Sequence, residues 1–189
     1  MRMSISIKEI SYFLNTNGIE YSIREDRNDI LTSFEMENYY NVENEPFLNI
    51  VIQLDEKNSI LKIFSPNCYR CLEKNKKTAL FETLLNISWK NQLMRFEFDP
   101  RDGEVRASVQ LAIEDSLLTE RQFLRSLLEL ISTVDRNHHV IQKVLDTGET
   151  AVQKREPPVE KLLDSLLAKI NDSGLPQAEE PSEDDDMWI

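Results

Sequence analysis

The fold class is decided by residues 93–113, which read LMRFEFDPRDGEVRASVQLAI. Polar and apolar side chains alternate on both sides of Pro100-Arg101-Asp102-Gly103, which is the period of a strand with one buried face. Proline fixes φ and glycine tolerates a positive φ, so these four residues are typical of a turn. The stretch therefore predicts a β-hairpin. Its inward-facing side chains are expected to be Met94, Phe96, Phe98, Val105, Ala107, Val109, Leu111 and Ile113.

A long helix is predicted directly after this hairpin. Thr119 and Gln122 have the spacing of a capping box, and Leu118 and Phe123 have that of a hydrophobic staple. From Phe123 onward, apolar residues recur at three- and four-residue steps up to residue 145, which is the stripe of a helix lying on a sheet. His138 lies on this stripe, and we interpret it as a partly buried, hydrogen-bonded histidine rather than a metal ligand or base.

The first half of the chain predicts a short helix over residues 7–14. Strands are then predicted over residues 21–24, 30–36, 47–54 and 60–64. Residues 37–46 are rich in asparagine and read as a loop, and Pro66 is expected to end the last of these strands. The apolar spacing from Cys68 to Asn91 predicts a second helix. Because Phe81, Leu85 and Trp89 widen its stripe, we expect this helix to be well buried.

Consecutive hairpins favour an antiparallel sheet, and helices between and after them favour the α+β class. We predict the order α-β-β-β-α-β-β-α, with three or four strands in the first group. The sheet should hold about five strands with helices on one face, and a C-terminal amphipathic helix should follow. The expected domains are an α+β domain over 1–147, a linker over 148–158, an amphipathic helix over 159–172 and a disordered acidic tail over 173–189.

Charge and hydropathy narrow the classes of partner. The formal net charge is -12 over 189 residues, which opposes binding to a phosphate backbone, so we expect no nucleic-acid ligand. The apolar runs are far shorter than the roughly 18 residues that a membrane span needs, and no secretory signal is recognisable at the N-terminus. The expected location is therefore the cytoplasm.

The sequence predicts no catalytic residue, no cofactor site and no metal site. Its four glycines are explained by caps, turns and a linker, and no common hydrolase motif is present. Cys68 and Cys71 form a lone C-x-x-C, which in a redox enzyme would open a helix. No second Cys or His pair stands at zinc spacing, so we favour a packing role. A redox-sensing protein or small enzyme that uses this pair is the alternative.

Two segments near the C-terminus suggest protein partners. The stripe that includes Leu163, Leu166 and Leu167 could dock on its own domain, on a second copy or on another protein. Trp188 and Ile189 follow an acidic run, as the apolar anchor of a short binding motif would, although they could also be a dangling end. These five residues are our candidates for partner binding.

The hairpin residues 93–106, with Glu114-Asp115 and the helix start 118–123 (LTERQF), resemble the YbjN-type family, particularly its cyanobacterial and plastid branch. The resemblance covers about residues 4–145. It implies a fold similar to type III secretion chaperones and a small, cytoplasmic, non-enzymatic protein that is often dimeric. With no catalytic residues to carry over, we expect a chaperone-like or adaptor protein that captures a partner polypeptide by apolar contact.

Overall fold

A computed structural model describes residues 5–55, 59–113 and 118–150. The elements in chain order are α1 (Ile7–Thr16), β1 (Ser22–Arg24), β2 (Asp29–Glu35), β3 (Phe47–Asp55), β4 (Ile60–Arg70), α2 (Lys74–Trp89), β5 (Met94–Phe98), β6 (Glu104–Ala112) and α3 (Glu120–Thr147). The strands form one antiparallel sheet in the order β1-β2-β3-β4-β6-β5. The α+β class is confirmed, with six strands rather than about five. No helix within the described ranges is long and apolar enough to cross a membrane.

One face of the sheet carries the core. A row of paired, buried residues crosses five strands, and its members are Ile30, Ile52, Ile63, Val109 and Met94. These residues share a face because they stand opposite one another in register. Helices α2 and α3 pack together on this face, and α1 joins them where the ring of Phe13 lies 5.9 Å from that of Phe123. The expected arrangement of helices on one side of an antiparallel sheet is therefore confirmed.

Helix α3 begins at the predicted capping box, and α1 begins at a cap of the same kind. Ser6 and Thr119 each cap a helix, and both form the reciprocal hydrogen bonds of a capping box, with Glu9 and Gln122 respectively. Gly148 ends α3 in the left-handed conformation at φ 75°. Since the first backbone N–H groups of a helix have no partner within it, these caps fix where α1 and α3 begin.

Strand β4 is longer than predicted because Pro66 lies in a bulge and does not end it. Between Ser65 and Tyr69 the strand advances four residues while its partner advances two, from Ala107 to Val105. A proline is tolerated at a bulge since no ladder hydrogen bond is needed from it. Asn67 completes the bulge with a φ of 48° and donates its backbone N–H to Glu104. The strand therefore continues to Arg70.

Helix α2 begins at Lys74, six residues after Cys68, and only one of its faces is buried. Leu80, Leu84 and Ile87 face the core, whereas Leu85 is 70% exposed and Trp89 is 90% exposed. The expectation of a well-buried helix is wrong for these two side chains. Apolar residues occupy both sides of α2, and spacing alone cannot show which side faces the sheet.

The structure describes residues 148–150 of the predicted linker. The rest of the linker, the predicted C-terminal helix, the acidic tail and the pair Glu114-Asp115 lie outside the described residues. Their boundaries stay predictions.

Candidate functional site

A groove opens between the start of α3, the end of β6 and the segment that joins α2 to β5. We call it the α3 groove, and its volume is about 350 Å³. Its main lining residues are Leu93, Leu111, Ile113, Leu118, Arg125 and Ser126. A space of this size is at the small end for ligand pockets and suits one large side chain.

The fold explains why this groove is apolar and open. Leu111 lies on the inward face of β6, close to where the strand ends, and it is only half-buried. Leu93 precedes β5 and is 38% exposed. Arg125 and Ser126 follow Gln122 on α3 by three and four residues, so they lie on the flank of the helix that faces the groove. The apolar floor is thus left accessible between elements that cover the core elsewhere.

Positive charge lies beside the α3 groove. Arg125 is the one charged residue among its described lining residues, and Arg121 precedes it by one turn of α3. Neither side chain makes a hydrogen bond or an ion pair with another described residue, although Glu120 and Glu129 line the same surface of α3. In contrast, carboxylates pair with Arg24, Arg101 and Arg106. Two guanidinium groups next to an apolar groove are therefore available to bind an external carboxylate.

Exposed apolar side chains also lie on the helices nearby. Leu85 and Trp89 are four residues apart on α2 and share its outer face, and Trp89 stands three residues before Gln92, which lines the groove. Leu128 is exposed on α3. Large apolar side chains that cluster at the surface often mark interaction sites.

A second cavity, of about 530 Å³, lies between the 37–46 loop, the end of β4 and the last turns of α3. His138 is buried beside it, and the Nδ1 atom of its ring lies 3.3 Å from the hydroxyl of Tyr69. The ring of Tyr69 stacks on that of His138, while Tyr39 meets it edge-on at 5.2 Å. Burial lowers the pKa of His138 and raises the pKa values of both tyrosines. His138 is thus a buried, hydrogen-bonded histidine, as expected.

The 37–46 loop is held to α3 by one carboxylate. Asp135 accepts hydrogen bonds from the backbone N–H groups of Asn38 and Tyr39 and from the side-chain amide of Asn38, at 2.8 to 3.0 Å. Burial opposes ionisation of Asp135, but these hydrogen bonds lower its pKa. Tyr39 is fully buried, and its hydroxyl donates to the carbonyl of Cys68. The sequence pattern gave no sign that a residue of this loop belongs to the core.

The two cysteines do not form the helix-opening pair that redox chemistry would use. Cys68 lies in β4 and Cys71 directly follows that strand, and both are buried, free thiols. Burial raises the pKa of Cys68 to about 12 and also raises the pKa of Cys71. Because the thiolate is the reactive form, these surroundings favour the packing role over the redox alternative.

Backbone contacts explain why Cys71 lies where it does. Its N–H donates to the carbonyl of Gly103 at 2.9 Å, and a Cβ at Gly103 would lie 2.5 Å from the carbonyl oxygen of Cys71. The end of β4 is thus packed against the turn between β5 and β6. In the part of the chain that the structure describes, no group of three or more His, Cys, Asp and Glu side chains could hold a metal ion.

Sequence reasoning did not find the α3 groove, although it placed Leu111 and Leu118 at apolar positions. The residues that it proposed for partner binding lie outside the described residues, and they are Leu163, Leu166, Leu167, Trp188 and Ile189. The sequence places Gln122, Arg125 and Ser126 within little more than one turn of a helix, but it carries no signal that this flank borders an open groove.

No family model matches the sequence, and no curated protein matches it. Among solved structures, the chain is similar to YbjN of E. coli, with 14% identity, a TM-score of 0.56, and coverage of 74% of this chain and 95% of that one. A chain of the HopA1-SchA chaperone-effector complex is 12% identical with a TM-score of 0.44, over 69% of this chain and 94% of that one. A protein from Methanothermobacter thermautotrophicus is 13% identical with a TM-score of 0.41, over 75% and 99% of the two chains. The likeness to YbjN supports the fold and nothing finer.

Proposed function

We propose that this protein is a non-enzymatic protein-binding module, chaperone-like or adaptor in type, that captures a partner polypeptide by apolar contact. The observation that carries the proposal is the α3 groove, in which an accessible apolar floor lies beside the guanidinium groups of Arg121 and Arg125, which have no carboxylate partner among the described residues. A large apolar side chain of the partner would enter the groove, and a neighbouring carboxylate would pair with an arginine.

The energetics favour such a contact. Burying one large apolar side chain contributes about 1.5 to 3 kcal/mol, and tryptophan, tyrosine and arginine dominate measured binding hot spots. The outer face of α2 adds Leu85 and Trp89, whose exposure in the free protein is costly unless a partner covers them. Further partner-binding residues that we propose are Leu163, Leu166, Leu167, Trp188 and Ile189.

We also propose membership of the YbjN-type family, in its cyanobacterial and plastid branch, with a cytoplasmic location and a homodimeric state. The hairpin and helix-start motifs of residues 93–123 support the family assignment, together with the likeness in fold to YbjN. No cofactor is part of the proposal. Dimer formation is tested by analytical ultracentrifugation of the full chain, in which a monomer at all concentrations would contradict it.

The function is tested by affinity capture from an extract of the source organism, with full-length protein as bait and quantitative mass spectrometry as the readout. Leu93→Asn and Arg125→Glu alter the groove, whereas Leu72→Asn and Arg136→Glu change exposed residues of the same types elsewhere. We expect a specific partner to be lost with the groove variants and kept with the two controls. The same partners with all four variants would contradict the proposal.

A further inference from the structure

We propose that two copies of this chain pair edge to edge through β5, in one antiparallel register centred on Phe96. The inference rests on the homodimeric state in the proposed function, and it names the surface that forms the dimer. In this register Arg95 of each copy lies opposite Glu97 of the other. The α2 helices of the two copies meet beside the paired strands.

Strand β5 is an edge of the sheet whose backbone can accept another strand. It pairs with β6 on one side, and no strand among the described residues pairs with its other side. The backbone N–H of Asp99 donates to the carbonyl of Glu104, and from there the hydrogen-bonded pairs with β6 recur at every second residue of β5. The residues in between therefore direct their N–H and C=O groups toward the free edge, and they are Met94, Phe96 and Phe98.

The outward backbone groups and the charges of β5 select one register. A second antiparallel copy must pair these outward-pointing residues with one another, so the axis lies at one of the five residues of the strand. Centring on Arg95 or Glu97 places like charges opposite each other, which is unfavourable. Centring on Met94 or Phe98 leaves most of the strand unpaired. Centring on Phe96 pairs all five residues and places Arg95 opposite Glu97 twice.

Nothing in β5 protects this edge against such pairing. Many edge strands are protected by a proline, by a bulge or by a charged residue on the inward face. Strand β5 reads MRFEF, pairs with β6 without a shift of register and has no charge on its inward face. Phe96 and Phe98 are on that face, yet both are only half-buried. A second copy would cover them further.

Helix α2 supplies the apolar part of the interface. It packs against α3 and against β5, where the ring of Phe81 lies 4.9 Å from that of Phe98. Leu85 and Trp89 follow Phe81 by one and two turns on the same side of the helix, and they are 70% and 90% exposed. The two-fold axis of an antiparallel strand pair is perpendicular to the sheet, so the helices of both copies lie on one side of it. The second copy is then the partner that covers Leu85 and Trp89.

The charges around this edge do not oppose a second copy. Arg95 and Glu97 already contact each other within the strand at 3.1 Å, and pairing continues that contact across the edge. The charged side chains on and beside the edge are the cations Lys62, Lys77, Lys90 and Arg95 and the carboxylates Glu82 and Glu97. In the following turn, Asp99 pairs with Arg101. The acidic excess of the whole chain is thus absent here, and repulsion at longer range is screened over about 8 Å at physiological ionic strength.

The test is analytical ultracentrifugation of full-length protein over a range of concentrations. Arg95→Glu places carboxylates opposite each other across the edge, and Glu97→Arg places guanidinium groups there. Each variant alone should raise the dimer dissociation constant about tenfold, because two like-charged pairs replace two attractive ones. An equal mixture of the two variants should dimerise like the parent, since each charge then meets its opposite. Mixing changes no contact within a chain, so this recovery reports the interface alone.

Two further comparisons keep the test independent of any one variant. Leu85→Asn should weaken the dimer, whereas Leu128→Asn, at an exposed leucine of α3, should not. Arg136→Glu, at an exposed arginine of α3, is the control for charge reversal and should leave the dimer unchanged. Circular dichroism of each variant confirms that it is folded.

Each outcome decides the proposal. A dimer that both charge variants weaken and that their mixture restores supports it. Charge variants that dimerise like the parent overturn it, as does a mixture that stays as weak as either variant alone, or a dimer that Leu85→Asn does not weaken. In these three cases the homodimeric state stands and another surface forms it. A parent that is monomeric at all concentrations overturns both, whereas capture of a partner polypeptide by the α3 groove is judged separately, by Arg125→Glu.

Discussion

The hydroxyl of Tyr69 lies 3.3 Å from Nδ1 of His138, although 69 residues separate the two in the chain. Tyr69 reaches the histidine because the bulge in β4 extends the strand past Pro66 toward α3. The contact therefore joins a feature that the sequence did not predict, the continued strand, to one that it did, the histidine on the buried stripe of α3.

His138 should make stability fall in mild acid. In the folded protein, burial lowers the pKa of the His138 ring below its ordinary value of 6.5. The charge of His139 lowers this pKa further, whereas the charges of Asp135 and Asp146 raise it by less than burial lowers it. As the pH is lowered, the unfolded chain therefore binds a proton at a higher pH than the folded chain does. The contribution of His138 to the free energy of unfolding is unreduced above about pH 6.5, and the free energy of unfolding falls as the pH drops below that value. Urea unfolding between pH 7.5 and 5 checks this.

In that experiment His138→Gln should show a shallower pH dependence than the parent protein. His139→Gln, at the exposed neighbouring position, should flatten the pH dependence less than His138→Gln does, because it removes only one of the charges that lower the pKa of His138. Equal slopes for the parent and His138→Gln would contradict this role for the buried ring.

Removing the carboxylate of Asp135 should release the 37–46 loop. Asp135→Ala leaves the N–H groups of Asn38 and Tyr39 without their acceptor, and the loss of hydrogen bonds to a charged group should lower the free energy of unfolding by about 2 kcal/mol. Hydrogen exchange should also become faster in the loop. Asp146→Ala is the control, because Asp146 bonds to the exposed Gln142 on its own helix. An unchanged exchange rate in the loop would refute the clamp.

Gly103→Ala should destabilise the protein more than Gly18→Ala does. Both glycines have a positive φ, at 74° and 65°, so both variants carry the backbone cost of about 1 kcal/mol. Only at Gly103 does an added Cβ meet backbone, at 2.5 Å from the carbonyl oxygen of Cys71, whereas nothing lies within 4 Å at Gly18. We expect an additional cost of about 1 to 3 kcal/mol. Chemical denaturation of the two variants measures it, and equal losses would contradict the close approach.

The thiols of Cys68 and Cys71 should react slowly in the native protein. Their burial raises both pKa values, so the thiolate is scarce at neutral pH and a reagent cannot reach it easily. Labelling with a thiol reagent, followed by mass spectrometry, should show slow modification that becomes fast in denaturant. Rapid native labelling, or a disulfide under mild oxidant, would revive the redox alternative.

The sequence predicted the elements whose signals are local. The β5–β6 hairpin follows from alternation and the turn 100–103, and α3 follows from the capping box at Thr119 and a regular stripe. The bulge at Pro66 was missed because a proline normally ends a strand, and only the pairing with β6 shows that this one is tolerated.

Other features depend on how distant segments meet. Tyr39 is buried because Asp135 and Cys68, from α3 and β4, hold it in place. The α3 groove is assembled from Leu93, Leu111 and Arg125, which belong to three different parts of the chain. No window of sequence contains such a site, so periodicity could not predict it.

The measurement that tests the central claim most directly is site-specific photo-crosslinking of the full-length protein. A photoreactive amino acid replaces Leu93 in the α3 groove in one protein and the exposed Leu72 in another, and crosslinked peptides are identified after irradiation in an extract of the source organism. We predict adducts at position 93 with a partner polypeptide, and none of these adducts at position 72. Identical adducts at both positions, or no polypeptide adduct at position 93, would contradict the account.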